Sequence, residues 1–217
     1  LKKQLWPLIK DQFIFEKNLK MLKKAMILAA GFGKRIHPLT QKTPKPLLKI
    51  GKETLLSNTL KFIKSLGIQY VVINVHYLAE EIISYLDQNK FDLNIKILKE
   101  EKKILDTGGG IFNAIQNFSM EPFLVINPDT IWNKNYISEL KSMEKIFFDS
   151  KKNKCSLLVV NKNRSFDKSF QGDFILKNNL ISRNDQKNPN YIYTGVQIIK
   201  PEIFDSIYNK IFSMNKI

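Results

Sequence analysis

The sequence predicts an open, mainly parallel α/β sheet with helices on both faces, followed by a smaller β-rich region. Two features predict it: short, unbroken apolar runs recur along the chain, and stretches of helical periodicity separate them. Strands buried on both faces of a parallel sheet produce such runs, because neither face meets water.

Residues 25–30 form the first run, and Gly31 ends it. A helix over 54–66 follows, with Leu55, Leu56, Thr59, Leu60 and Ile63 on one face. A strand over 70–75 leads to a helix over 79–86, and a strand over 93–98 to a helix over 110–118. The same alternation gives a strand over 123–127, a helix over 137–148 and a strand over 155–160. These intervals suit right-handed crossovers. Beyond them, 174–176, 179–181 and 193–199 read as shorter, antiparallel strands, and 201–212 as a helix with proline in its first turn. In such sheets ligands bind beyond the carboxyl ends of the strands. That rule selects the loops after Ala30, Asn74 and Asn127.

The 217 residues carry a formal charge of +15 and are 43% hydrophobic, which excludes a disordered chain. A basic chain raises nucleic acid or an anionic membrane as partner. Only Arg35, Arg164 and Arg183 are arginine, however, and the lysines are scattered. Base-specific readers lean on the guanidinium fork, so the charge reads as a lysine-rich surface, with neither nucleic acid nor membrane as partner. Residues 1–24 hold seven lysines against Asp11 and Glu16 and form a basic leader outside the main domain of 25–217. Cys155 is the single cysteine, so no internal disulfide forms, which fits a cytoplasmic location. No run approaches the ~18 apolar residues of a membrane span.

Gly31 and Gly33, followed by Lys34 and Arg35, stand directly after the first strand. Glycines let backbone N–H groups turn toward an anion, and the cations neutralise it. A ligand-free turn competes with this reading. A dinucleotide fingerprint lacks its third glycine, since Ile36 stands there, and a Walker loop lacks its Gly-Lys-Ser/Thr ending. Pro44 and Pro46 flank Lys45 and restrict the backbone that carries it. Thr107 reads as the cap of a helix, with Gly108, Gly109 and Gly110 leaving bare backbone for a base or ribose. Asp129, just past a buried strand, is suited to Mg²⁺, which takes one or two carboxylates plus substrate phosphates. His37 and His76 have no metal-ligand spacing, and no Ser-His-acid triad can be picked out.

As a set, 28–35, 44–47 and Asn127-Pro128-Asp129 resemble the signature loop, activating lysine and metal-binding aspartate of the sugar-1-phosphate nucleotidyltransferases. The resemblance runs from about Ala25 to the end of the chain. It implies the Rossmann-like nucleotide-diphospho-sugar transferase fold and transfer of a nucleotidyl group from a triphosphate to a sugar 1-phosphate. Segments 106–112 and 172–174 are most similar to members that pass UMP from UTP to N-acetylmuramate α-1-phosphate in peptidoglycan sugar recycling. The resemblance further implies that Ala30 and Gly31 belong to the nucleotide site, that Gly33, Lys34 and Arg35 hold the triphosphate, and that Lys45 holds the α-phosphate and the incoming sugar phosphate. Asn74, Thr107 and Gly108 would face uracil and ribose, with Asn127 near the nucleotide and Asp129 on Mg²⁺. Asp173, Thr194 and Gly195 would lie on the sugar side, and Arg35, Lys45 and Asp129 would carry catalysis.

Two departures stand out. Pro128 replaces the glycine usual between the family's Asn and Asp, and nothing after Thr194 matches the segment that carries its second metal aspartate. The resemblance therefore implies a catalytic domain incomplete at its C-terminus. Transfer to mannose, glucose or heptose 1-phosphate from another triphosphate stays open, as does nucleotide binding without turnover.

Overall fold

The computed structural model describes residues 21–183 and 189–217, and most of the expected basic leader, residues 1–20, lies outside them. In chain order the strands are β1 (Lys24–Leu28), β2 (Lys49–Ile50), β3 (Glu53–Thr54), β4 (Tyr70–Val75), β5 (Asn94–Lys99), β6 (Phe123–Ile126), β7 (Cys155–Asn161), β8 (Ile175–Lys177), β9 (Leu180–Ser182) and β10 (Tyr191–Ile199). The helices are α1 (Leu55–Ser65), α2 (Ala79–Gln88), α3 (Asp106–Ala114) and α4 (Ile137–Asp149).

Six strands form one sheet in the order β5-β4-β1-β6-β10-β7. β1 pairs in parallel with β4 and β6, and β4 with β5, whereas β10 runs antiparallel to both β6 and β7. β7 therefore points the same way as the parallel set. Alternate residues of the strands feed two cores. Ala25, Ile27, Val71 and Ile73 meet Leu56, Leu60 and Ile63 of α1, Ile82 of α2, and Leu140 and Phe147 of α4. On the opposite face Met26, Val72 and Val125 meet Ile111, Phe118, Phe204 and Phe212.

Local chemistry sets the boundaries. Thr54 caps α1, its Oγ1 accepting from the Ser57 N–H at 3.0 Å and donating to the Tyr85 hydroxyl of α2 at 3.0 Å. Thr54→Ala is expected to lower stability by about 1 kcal/mol in urea denaturation. Asn178 and Asn179 both take positive φ, the twist that a two-residue turn between β8 and β9 requires.

Two expected elements are corrected. Residues 201–212 form only a 3-10 turn, Pro201–Phe204, followed by irregular chain. The Ile207 N–H still closes on the Phe204 carbonyl, but Phe212 bonds outward: its N–H donates to the Leu105 carbonyl, and its carbonyl accepts from the Gly109 N–H. The glycine-rich helix starts at Asp106, not Gly110, so the three glycines lie inside it, and the Asp106 carboxylate, not the Thr107 hydroxyl, accepts from a first-turn N–H, that of Thr107.

Candidate active site

The carboxyl ends of β1, β4 and β6 open into a cleft of about 720 Å³, lined by residues 28–36, Lys45, Pro46, Asn74, Ile104, Asp106, Thr107 and 127–129. The loop after β1 forms its base. Gly33 sits at φ +64°, and its carbonyl accepts from the Ile36 N–H at 3.1 Å and from the Thr40 hydroxyl at 2.9 Å. A Cβ at Gly33 would lie 2.9 Å from Thr40 Cγ2, so the turn closes only on glycine. Gly31 has open space around it. Phe32 packs edge-on against His76 and tilted against Tyr77, which ties the loop to the turn after β4. Lys34 and Arg35 are both exposed, and no ion pair holds either among the described residues.

The two residues singled out on separate loops converge. Lys45 Nζ stands 2.5 Å from Asp129 Oδ2, with their side chains about one-third exposed. Pro44 is extended and Pro46 buried within the short 3-10 turn that holds Lys45. On the β6 side the Asn127 N–H donates to the Gly195 carbonyl, while Pro128 is buried and has no N–H to offer.

The opposite wall is built by β4 and α3. Asn74 is buried at its floor: Oδ1 accepts from the Ala29 N–H at 3.0 Å, and Nδ2 donates to Glu100 Oε1 at 2.7 Å. Thr107 lines the cleft and accepts a hydrogen bond from the Met214 N–H in place of capping α3. The expected bare glycine surface is covered by protein. A Cβ at Gly108 would lie 2.3 Å from the Phe212 ring, at Gly109 2.2 Å from the Lys210 carbonyl, and at Gly110 2.7 Å from Asn74 Nδ2. Gly108 accordingly does not line the cleft.

Asp173, Thr194 and Gly195 also stand outside the cleft lining. Asp173 accepts from the Tyr193 N–H, and the Thr194 hydroxyl donates to the Leu158 carbonyl. Gly195, at φ +85°, leaves room for Asn127, whose Nδ2 would be 3.0 Å from a Cβ there. The three residues thus brace β10 beside the β6 end of the cleft. Sequence reading missed Thr40, which braces Gly33 across a seven-residue turn, and Tyr77 and Glu100, which act through contacts remote in sequence.

A family model described as nucleotidyl transferase matches residues 24–170. The chain belongs to the nucleotidyl transferase family. It is 34% identical to the N-acetylmuramate alpha-1-phosphate uridylyltransferase of Neisseria meningitidis serogroup B, over 85% of this chain and 78% of that one. It is 29% identical to a probable mannose-1-phosphate guanylyltransferase of Oryza sativa, over 89% of this chain and 54% of that one. HddC from Yersinia pseudotuberculosis has the same fold, with a TM-score of 0.69 at 23% identity over 88% of this chain and 83% of that one. Both sequence relatives are sugar-1-phosphate nucleotidyltransferases, and this nucleotidyl transferase is an enzyme of that class. No helix among its described residues is long and apolar enough to cross a membrane.

The donor set of this nucleotidyl transferase limits what metal it can hold. Asp106 and Asp129 are the carboxylates of the cleft lining, and among the described residues no three His, Cys, Asp or Glu side chains group as a metal cage. Asp129, beside the loop of residues 31–35, fits Mg²⁺ that arrives with a triphosphate, since that ion keeps waters and phosphate oxygens as ligands. Cys155 is unsuited to nucleophilic chemistry, because burial pushes its thiol up to about 12.

Proposed function

We propose that this chain transfers UMP from UTP to N-acetylmuramate α-1-phosphate, releasing pyrophosphate, as a step of peptidoglycan sugar recycling. The meeting of Lys45 and Asp129 beside the Gly31–Arg35 loop carries the reading. An oxygen of the sugar phosphate forms a bond to the α-phosphorus of UTP, and the bond from that phosphorus to the oxygen bridging to the β-phosphate breaks. The leaving electron pair stays on pyrophosphate, so no covalent enzyme intermediate is required.

The barrier is the approach of like charges, which positioned cations lower. Backbone N–H groups of 31–33, with Lys34 and Arg35, bind the β- and γ-phosphates. Lys45 leaves Asp129 to bridge the α-phosphate and the acceptor phosphate. Asp129, freed from Lys45, would hold Mg²⁺, and the ion would supply positive charge against the triphosphate. Asn74 and Thr107 face the nucleoside, while Asn127, Asp173, Thr194 and Gly195 shape the acceptor side.

Likeness to the uridylyltransferase supports UTP, and likeness to a guanylyltransferase supports a rival pair, GTP and mannose 1-phosphate. A panel of four nucleoside triphosphates against both sugar phosphates, read by mass spectrometry, is expected to give UDP-N-acetylmuramate as the main product. A GDP-sugar as main product would overturn the assignment. Calorimetric UTP binding without any product would reduce the chain to a nucleotide-binding protein.

A further inference from the structure

We infer that Glu100 is a positioning residue for nucleotide binding, acting through Asn74. It rests on the reading that Asn74 faces the nucleoside. Glu100 is 4% exposed, yet no ion pair holds it among the described residues. A buried carboxylate is costly unless its oxygens are satisfied. Here both are, by neutral donors: Oε1 accepts from Asn74 Nδ2 at 2.7 Å, and Oε2 from the Leu105 N–H at 2.8 Å.

Both partners belong to the cleft wall. Asn74 lines the cleft and holds the Ala29 N–H, just ahead of the phosphate loop. Leu105 enters α3 directly before Asp106, at φ +63°, and Thr107, which also line the cleft. Glu100 itself is fixed from behind, its N–H donating to the Val75 carbonyl and its own carbonyl meeting His76 Nδ1. A Cβ at Gly110 would come within 2.7 Å of Asn74 Nδ2 and 3.1 Å of Glu100 Oε1, so α3 keeps a glycine where this pair needs clearance.

The chemistry of the carboxylate explains why an acid is used. A carboxylate only accepts hydrogen bonds, whereas a side-chain amide both donates and accepts. Glu100 therefore forces the Asn74 amide to turn its nitrogen inward and its oxygen toward Ala29. Glutamine at 100 fills the same volume but accepts through one oxygen only. It can satisfy Asn74 or the Leu105 N–H, not both, and it frees the amide to flip.

Glu100→Gln is expected to weaken binding of the nucleoside triphosphate about tenfold, the loss of one hydrogen bond to a charged group. The effect should fall on KM for the triphosphate, with KM for the sugar 1-phosphate unmoved. Asn74→Ala should weaken nucleotide binding similarly. The double variant should lose no more than the larger single effect, because the two residues act as one unit. Calorimetry with UTP, CTP, GTP and dTTP, each with Mg²⁺, supplies the binding data, and thermal melting checks that each variant folds.

Failure of the UTP assignment would show in the wild-type preference, whereas the variant-to-wild-type ratio is read with whichever triphosphate binds. Unchanged affinity in Glu100→Gln, additive losses in the double variant, or a lower kcat with both KM values raised and the melting point lowered would each overturn the inference. A wild-type chain that binds none of the four would overturn both readings.

Discussion

Lys45→Ala and Asp129→Ala are each expected to cut nucleotidyl transfer about 10²- to 10³-fold, as loss of one preorganised charge at a transition state does, while the fold survives. The two side chains are 30% and 33% exposed, so neither truncation leaves a buried charge without a partner. An ion pair this open contributes at most ~1 kcal/mol to stability. Pyrophosphate release measured beside a urea midpoint separates the two effects. Near-normal rates in either variant would remove that residue from the chemistry. A midpoint that collapses with the rate would make the pair a structural strut.

Gly109→Ala is expected to destabilise the chain by about 3 kcal/mol, as overpacking a tight contact does. The usual effect has the opposite sign, since alanine in place of glycine within a helix gains about 1 kcal/mol. What reverses it is a Cβ 2.2 Å from the Lys210 carbonyl and 3.1 Å from Leu105 Cβ. The first obstacle is backbone and has no rotamer to turn aside. The hydrogen bond from the Gly109 N–H to the Phe212 carbonyl must stretch with it. Denaturant titration reads the loss, and a midpoint equal to or above that of wild type would mean that the segment near Lys210 yields freely.

The parallel sheet is legible because its central strands are short, largely apolar runs: a strand over 70–75 is expected from sequence and Tyr70–Val75 forms. Lys45 and Asp129 were legible as separate signals, one from its flanking prolines and one from its place after a buried strand. Their contact was not, because it spans 84 residues. The glycine helix misled for a physical reason. Helix propensity speaks against three glycines in a row, yet tertiary approach of Phe212, Lys210 and Asn74 outweighs it. The missing helix over 201–212 goes with the same approach, since Phe212 gives both its backbone groups to the start of α3 while Pro201–Phe204 closes only a 3-10 turn. Glu100 gave no signal at all, since an acidic residue among lysines after a strand reads as surface until its burial is known.

The joining of α3 to residues 212–214 also orders events in time. The Met214 N–H meets the Thr107 hydroxyl from 107 residues away. A chain emerging from the ribosome can therefore complete β1, the glycine loop, Lys45 and Asp129 well before α3 receives its partners from residues 204–214. Until then the faces of Ile111, Phe118 and Phe123 lack the cover that Phe204 and Phe212 later supply. Such an interval leaves aromatic surface open to other chains. The vulnerable moment of synthesis thus falls after the residues that line the cleft have been made, and it lasts until Phe204 and Phe212 arrive.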